Sequence, residues 1–295
     1  MKRALLSRLV LVAWLAAVGL AAGAQTRIQD VIYHKKHGVA LTMDVFKPEK
    51  PNGIGVAWMV SGGWVSNHNS INPALAALFT SKGITLFQVV HGSQPKYTLP
   101  EIVEDIHRAI RFIRANAAAY GVDPNRIGIA GGSAGCHLSL MMGAYGGPGK
   151  ADAPDPIDRQ SSAVQSVAGF FPPTDFLNYG KEGASALQIP VLKSYWHVFT
   201  ITESTTDEQK VAIGKSLSPI YGVSPKFPPT FLIHGDADLL VPLQQSQRMI
   251  DALKAAGVKT KLDVRPGKAH GWPGIEKDGE LLVEWFLETL GGKQQ

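Results

Sequence analysis

The sequence predicts an α/β fold, a mainly parallel central sheet of about eight strands flanked by helices on both faces. Short apolar runs bounded by Gly, Pro, Asn and Asp alternate with longer stretches of helical periodicity, the order that builds parallel strands joined by crossover helices. The chain is also long enough, at 295 residues with 45% apolar and 18% charged composition, for one large domain with a buried core.

The first residues are set apart from that domain. Lys2, Arg3 and Arg8 precede an apolar run from Leu9 to Ala22 that closes on Ala22-Gly23-Ala24. This pattern predicts a signal peptide over residues 1–24, cleaved to leave a mature domain over residues 25–295 that is secreted or periplasmic. Fourteen apolar residues fall short of the ~20 that span a bilayer, so no stable membrane anchor is expected after cleavage. Losing three positive charges and no negative one takes the formal net charge from +5 to +2. With no long basic run left, a nucleic-acid partner is not expected. His34-Lys35-Lys36-His37 reads as a solvated hairpin turn, and no metal-ligand spacing surrounds it. Cys136 is the only cysteine, so there is no internal disulfide, and the thiol reads as a small packing group on a helix.

Strands are expected at residues 31–34 and 41–46 as a hairpin, and at 55–60 as an apolar run buried on both faces. A helix over 72–81 ends at Lys82-Gly83 and leads to a strand at 84–90. Residues 100–120 read as a helix, with Ile102, Ile106, Ala109, Ile110 and Ile113 on one face and acids preceding bases along the dipole. Asp123-Pro124-Asn125 marks a turn into a strand at 126–130, and Gly146 to Pro156 reads as a loop. Further strands are expected at 164–171, 230–234 and 260–264, with a closing helix over 280–290. The irregular stretch between residues 171 and 230 predicts a cap insertion at about 176–226, since a loop that long in a compact domain is usually functional.

Gly131-Gly132-Ser133-Ala134-Gly135 fits the Gly-x-Ser-x-Gly pattern, and its setting between an apolar strand and a helix is what gives it weight. A tight strand-to-helix turn exposes the serine hydroxyl, and the free amides at the helix start face developing negative charge. Ser133 is therefore the candidate nucleophile and Ala134 N–H one oxyanion donor. Ser61-Gly62-Gly63-Trp64, after an earlier strand, supplies the candidate donors Gly63 and Trp64. A strand runs directly into Asp236 and Asp238. Asp238 is the candidate acid, Asp236 a turn-shaping residue, and Asp175 the reserve. His270 follows the last strand as the candidate base, completing the chain order Ser, Asp, His. His234 reads as a structural hydrogen-bonding residue.

These pieces resemble the α/β-hydrolase superfamily over nearly all of the mature chain, with serine esterases as the closest likeness: bacterial feruloyl and acetyl esterases, hormone-sensitive-lipase-like esterases and prolyl-oligopeptidase-like hydrolases. The resemblance rests on Gly121-Val122-Asp123-Pro124-Asn125-Arg126-Ile127 leading into Gly-Gly-Ser-Ala-Gly, on His234-Gly235-Asp236-Ala237-Asp238 with Val241-Pro242, and on Ala269-His270-Gly271-Trp272. It implies an α/β-hydrolase fold and hydrolysis of a small-molecule or polysaccharide-linked ester through an acyl-serine, with no cofactor or metal. Two departures stand out: Ser61 and Trp64 replace the outer residues of the His-Gly-Gly-Gly loop common in such esterases, and Cys136 stands where glycine commonly follows the serine motif. Trp64, Phe171, Tyr179, Tyr195, Trp196 and Trp272 either line a pocket for an aromatic or sugar-linked acyl group or serve as core and cap packing. A peptidase related to prolyl oligopeptidases and a non-catalytic binding protein on the same scaffold remain open readings.

Overall fold

A computed structural model describes residues 25–292; the predicted signal peptide lies outside the described residues. The strands are β1 (Gln25–Lys36), β2 (Val39–Pro48), β3 (Gly53–Val60), β4 (Thr85–Val90), β5 (Val122–Gly132), β6 (Ser166–Phe170), β7 (Thr230–Gly235) and β8 (Thr260–Arg265). They form one sheet in the order β1-β2-β4-β3-β5-β6-β7-β8. Strand β2 runs antiparallel to both neighbours, and every pairing from β4 to β8 is parallel. The helices are α1 (Pro73–Thr80), α2 (Leu99–Ala115), α3 (Ala134–Tyr145), α4 (Asp207–Ser216), α5 (Gln244–Ala255) and α6 (Ile275–Leu290). Among the described residues no helix is long and apolar enough to cross a membrane.

Strand side chains alternate between two apolar layers, as the period of two requires. Ala57 and Met59 of β3, Phe87 and Val89 of β4, and Ile127 and Ile129 of β5 face the layer packed by α2, α3 and α5. Val56, Leu86, Ala130 and Phe231 face the layer packed by α1 and α6, where Phe79 and Phe286 are fully buried. Each such aromatic contributes roughly 2–3 kcal/mol by leaving water.

Several element limits differ from expectation, each for a local reason. Helix α2 starts with a Thr98–Glu101 capping box and gives way after Ala115 to a 3-10 turn closed by Gly121 at φ 69°. Asp123-Pro124-Asn125 belongs to β5 as an irregularity, because the register jumps from Gly53↔Val122 to Gly55↔Ile127 and frees Pro124 from the ladder. In the first hairpin, β1 extends through Lys36 and only His37-Gly38 turns. Lys36 ion-pairs with buried Asp105, so it is not a solvated turn residue. Helix α6 begins at Ile275, five residues early, behind Gly274 at φ 84°. Helix α5 had no sequence prediction; it buries Met249, Ile250 and Leu253 and forms the crossover between β7 and β8. Between β6 and β7 lie three 3-10 turns and α4.

Two glycines set how closely α3 approaches the sheet. A Cβ on Gly131 would sit 2.5 Å from the Gly135 carbonyl carbon, and one on Gly135 would sit 2.7 Å from the Met59 carbonyl oxygen. A Cβ on Gly132 would meet only the Phe171 ring, at 3.7 Å. Gly131→Ala is therefore expected to lower unfolding free energy by about 1–3 kcal/mol and Gly132→Ala by less than ~0.5 kcal/mol, measured by urea denaturation.

The core also buries two imidazoles. Burial pushes His91 and His137 down to about 4 from the ordinary 6.5, against the opposing effect of hydrogen bonds to the Gly92 and Leu217 carbonyls. Between those values the unfolded chain binds more protons than the folded one, so stability falls as pH drops from 6.5 towards 4. Urea melts at pH 7 and pH 4.5 are expected to show this loss, and His137→Gln to show a shallower dependence on pH.

Candidate active site

Ser133 occupies the junction where β5 ends and α3 begins. Its backbone is in a left-handed conformation, φ 52° and ψ −120°, which costs a side-chain-bearing residue roughly 1–3 kcal/mol. Neighbouring chain holds it there: Ser133 N–H donates to the Phe170 carbonyl at 2.9 Å, and His137 N–H to the Ser133 carbonyl at 2.9 Å. Cys136, one turn into α3, is fully buried against Gly169, and burial pushes its thiol well up. It serves as packing, as its place on the helix predicts.

The acid and the base come from the loops after β7 and β8. Those loops are clasped together: Asp236 N–H donates to the Arg265 carbonyl, Ala237 N–H to the Lys268 carbonyl, and Gly267 N–H to Asp236 Oδ1 at 2.6 Å. A Cβ on Gly235 would sit 2.1 Å from the Lys268 oxygen, so only glycine lets the strands' ends approach this far. The clasp brings His270 Nδ1 within 2.7 Å of Asp238 Oδ2 and His270 Nε2 within 2.9 Å of Ser133 Oγ. A carboxylate can only accept, so Nδ1 carries the proton and Nε2 presents a lone pair to the serine hydroxyl. The His270 side chain keeps 21% exposure and the Phe171 ring packs against it at 4.5 Å.

Burial on its own would push the Asp238 carboxyl up. Hydrogen bonds from His234, His270 and the Val241 amide outweigh it and hold the group well below the usual carboxylate range. His234 thus does more than its sequence position suggested. Its Nε2–H donates to the Val241 carbonyl at 2.8 Å while lying 3.3 Å from Asp238 Oδ2, and Ser246 occupies its other nitrogen. Asp175, the reserve acid, is fully buried but engaged elsewhere, accepting from Arg248, Asn178, Tyr221 and the Leu177 amide.

Facing Ser133 is the loop after β3. Gly62 and Val65 exchange both backbone hydrogen bonds at 3.0 Å, closing a tight turn whose two central residues, Gly63 and Trp64, have φ 55° and 60°. Among the described residues the amides of Gly63 and Trp64 make no intramolecular hydrogen bond. Ala134, as the first residue of α3, contributes an amide that a helix leaves unpaired. All three residues line one cavity with Ser133 and His270. Three residues with unpaired amides and the Ser133 hydroxyl therefore border a common space, where a carbonyl oxygen could gain negative charge.

The cavity encloses about 580 Å³, within the range of small-molecule sites. Of the six aromatics for which the sequence left pocket lining and packing open, Trp64, Phe171, Tyr179 and Tyr195 line it, joined by Phe176 and Phe199, which the irregular segment gave no periodicity to reveal. Tyr179 donates its hydroxyl to the Leu240 carbonyl at 2.7 Å, and burial pushes that phenol up. Trp196 and Trp272 do not line the cavity. Trp196 donates to the Leu187 carbonyl with its indole beside Lys193 and Lys210, and Trp272 is held by Asp278 and packed on Phe170 behind Phe171. Among the described residues no Asp, Glu, Lys or Arg side chain lines the space.

The likeness to known proteins agrees with this architecture. Esterase LipQ of Mycobacterium tuberculosis is 31% identical over 216 residues, 73% of this chain and 48% of that protein. A probable isoprenylcysteine alpha-carbonyl methylesterase of Oryza sativa subsp. japonica is 28% identical over 238 residues, 77% of this chain and 53% of that protein. The chain thus spans about half the length of these curated relatives. Among solved structures, a truncated carbohydrate esterase from gut microbiota superposes with a TM-score of 0.77 at 24% identity, covering 92% of this chain and 98% of that one. An acetyl ester-xyloside bifunctional hydrolase from Caldicellulosiruptor lactoaceticus superposes at 0.73 and 23% identity, covering 91% and 97%. These likenesses show an α/β-hydrolase fold. The profile of the BD-FAE family matches residues 43–253, and the chain belongs to that family.

Proposed function

We propose that this chain hydrolyses carboxylic esters through a covalent acyl-serine. The observation that carries the reading is the unbroken hydrogen-bond path from Ser133 Oγ through His270 to Asp238, at 2.9 and 2.7 Å. In the proposed reaction, His270 Nε2 takes the Ser133 proton as Oγ attacks the ester carbonyl carbon. The carbonyl oxygen gains negative charge and is received by the amides of Gly63, Trp64 and Ala134. Collapse expels the alcohol, which leaves with the proton from His270. Water, deprotonated by the same imidazole, then attacks the acyl-serine carbonyl; the bond to Ser133 Oγ breaks, His270 returns the proton to Oγ, and the carboxylic acid departs. Asp238 stays ionised throughout and stabilises the imidazolium.

The cavity wall supports a substrate class. An aromatic, uncharged lining favours neutral esters, and about 580 Å³ accommodates acyl groups from acetyl up to a feruloyl-type ring. The N-terminal segment supports an extracytoplasmic site of action, with the mature chain starting at Gln25. N-terminal sequencing of the exported protein is expected to begin there.

Ser133→Ala is expected to lower ester turnover by about 10⁴-fold or more, and Asp238→Asn by a similar factor because the amide favours the wrong imidazole tautomer. Retention of most of the activity in Ser133→Ala would refute the mechanism. Labelling by a fluorophosphonate probe separates this reading from a non-catalytic scaffold, and a proline-containing peptide substrate separates it from a peptidase. Across acetyl, feruloyl and long-chain esters of one alcohol, feruloyl is expected to give the highest kcat/KM.

A further inference from the structure

The turn that carries Gly63 and Trp64 is strained. Trp64 bears a side chain at φ 60°, a conformation that disfavours every residue except glycine, and its neighbour Gly63 is also left-handed. A turn of this kind keeps its shape only where surrounding groups over-determine it. The indole provides one fixed point: Trp64 is buried, its ring packs on Tyr195 and Phe199, and its Nε1–H donates to His137 Nδ1 at 3.3 Å.

The other fixed point is on the main chain, and a single residue supplies it. Gln94, from the loop after β4, donates its backbone N–H to the Trp64 carbonyl at 3.2 Å and its side-chain Nε2–H to the Gly63 carbonyl. Two neighbouring bonds stitch the same loops together, Ser66 N–H to Ser93 Oγ at 3.0 Å and His91 N–H to Ser66 Oγ at 3.2 Å. A peptide plane has its N–H and C=O on opposite sides. Anchoring the Gly63 carbonyl therefore fixes the direction of the Trp64 amide in the same plane, and anchoring the Trp64 carbonyl limits how far that residue can rotate.

We propose that Gln94 is a positioning residue, whose carboxamide locks the Gly63–Trp64 peptide so that the Trp64 amide is aimed at the oxyanion. Gln94 does not line the cavity, so it acts through the backbone it holds and not by touching substrate. Valine, leucine or alanine at position 94 could supply the backbone bond but not the side-chain one. The proposal rests on the acyl-serine reading above, since without a developing oxyanion the aim of this amide has no consequence.

The test compares wild type with Gln94→Glu and Gln94→Met, which keep the side chain's length and remove its N–H. Hydrolysis of p-nitrophenyl acetate gives kcat and KM, and a trifluoromethyl ketone, which forms a tetrahedral oxyanion adduct on the serine, gives Ki. Loss of a whole oxyanion donor costs about 10²–10³-fold in turnover. A donor left in place but misaimed is expected to cost ~10-fold or more in kcat, with KM within about 3-fold of wild type. Ki for the ketone is expected to rise by the same factor as kcat/KM falls.

A purely structural role would lower the unfolding temperature without moving Ki and kcat/KM together. If both variants keep kcat and Ki within about 2-fold of wild type, the proposal is overturned while the esterase reading stands. If wild type itself neither turns over the ester nor reacts with a fluorophosphonate, both fall. Should Gln94→Glu fail to fold, the uncharged Gln94→Met carries the test.

Discussion

The close return of the chain between β5 and α3 is the constraint on which the rest of the site depends. Gly131 and Gly135 let the helix approach to distances that a Cβ would forbid, and Ser133 is left at the apex with a left-handed backbone. Its hydroxyl then projects from the sheet edge while its own amide and carbonyl are already paired. The same approach places the start of α3, with its unpaired Ala134 amide, directly beside Ser133. Relaxing that turn would misplace the hydroxyl and the amide together.

Around this apex the structure solves an electrostatic problem. Asp238 is a carboxylate taken almost out of water, an unfavourable state unless its lone pairs are filled. The Leu240 and Val241 amides occupy Oδ1, and the imidazoles of His270 and His234 lie against Oδ2. The result is an acid that remains ionised beside a histidine whose proton sits on the nitrogen facing it. The clasp between the β7 and β8 loops keeps that pair in register with Ser133.

Much of this was legible in the residue order. Ser133, Asp238 and His270 each follow a strand of the sheet, and a parallel sheet brings the ends of its strands to one rim, so their order along the chain already implied convergence. That the turn after β3 borders the same space as Ser133 was readable from Gly62-Gly63 for the same reason. Other features left no local mark. Trp196 and Trp272 sit near the site in sequence yet face away, because an aromatic ring one or two residues from a lining residue can be rotated onto another surface. Phe176 and Phe199 line the cavity from a segment with no regular period, and the Gln94 contact joins residues about thirty positions apart with no pattern linking them.

Sequence by itself determined the fold class and which three side chains, Ser133, Asp238 and His270, meet in one hydrogen-bonded chain, since both follow from periodicity, glycine placement and chain order, which are properties of neighbours along the backbone. Tertiary structure alone decided which aromatics form the wall, that His234 shares in holding Asp238, and that Lys36 reaches the buried Asp105. Those outcomes depend on side-chain direction and on packing between segments far apart in the chain, where several rotamers are compatible with the local sequence and only the assembled core selects among them.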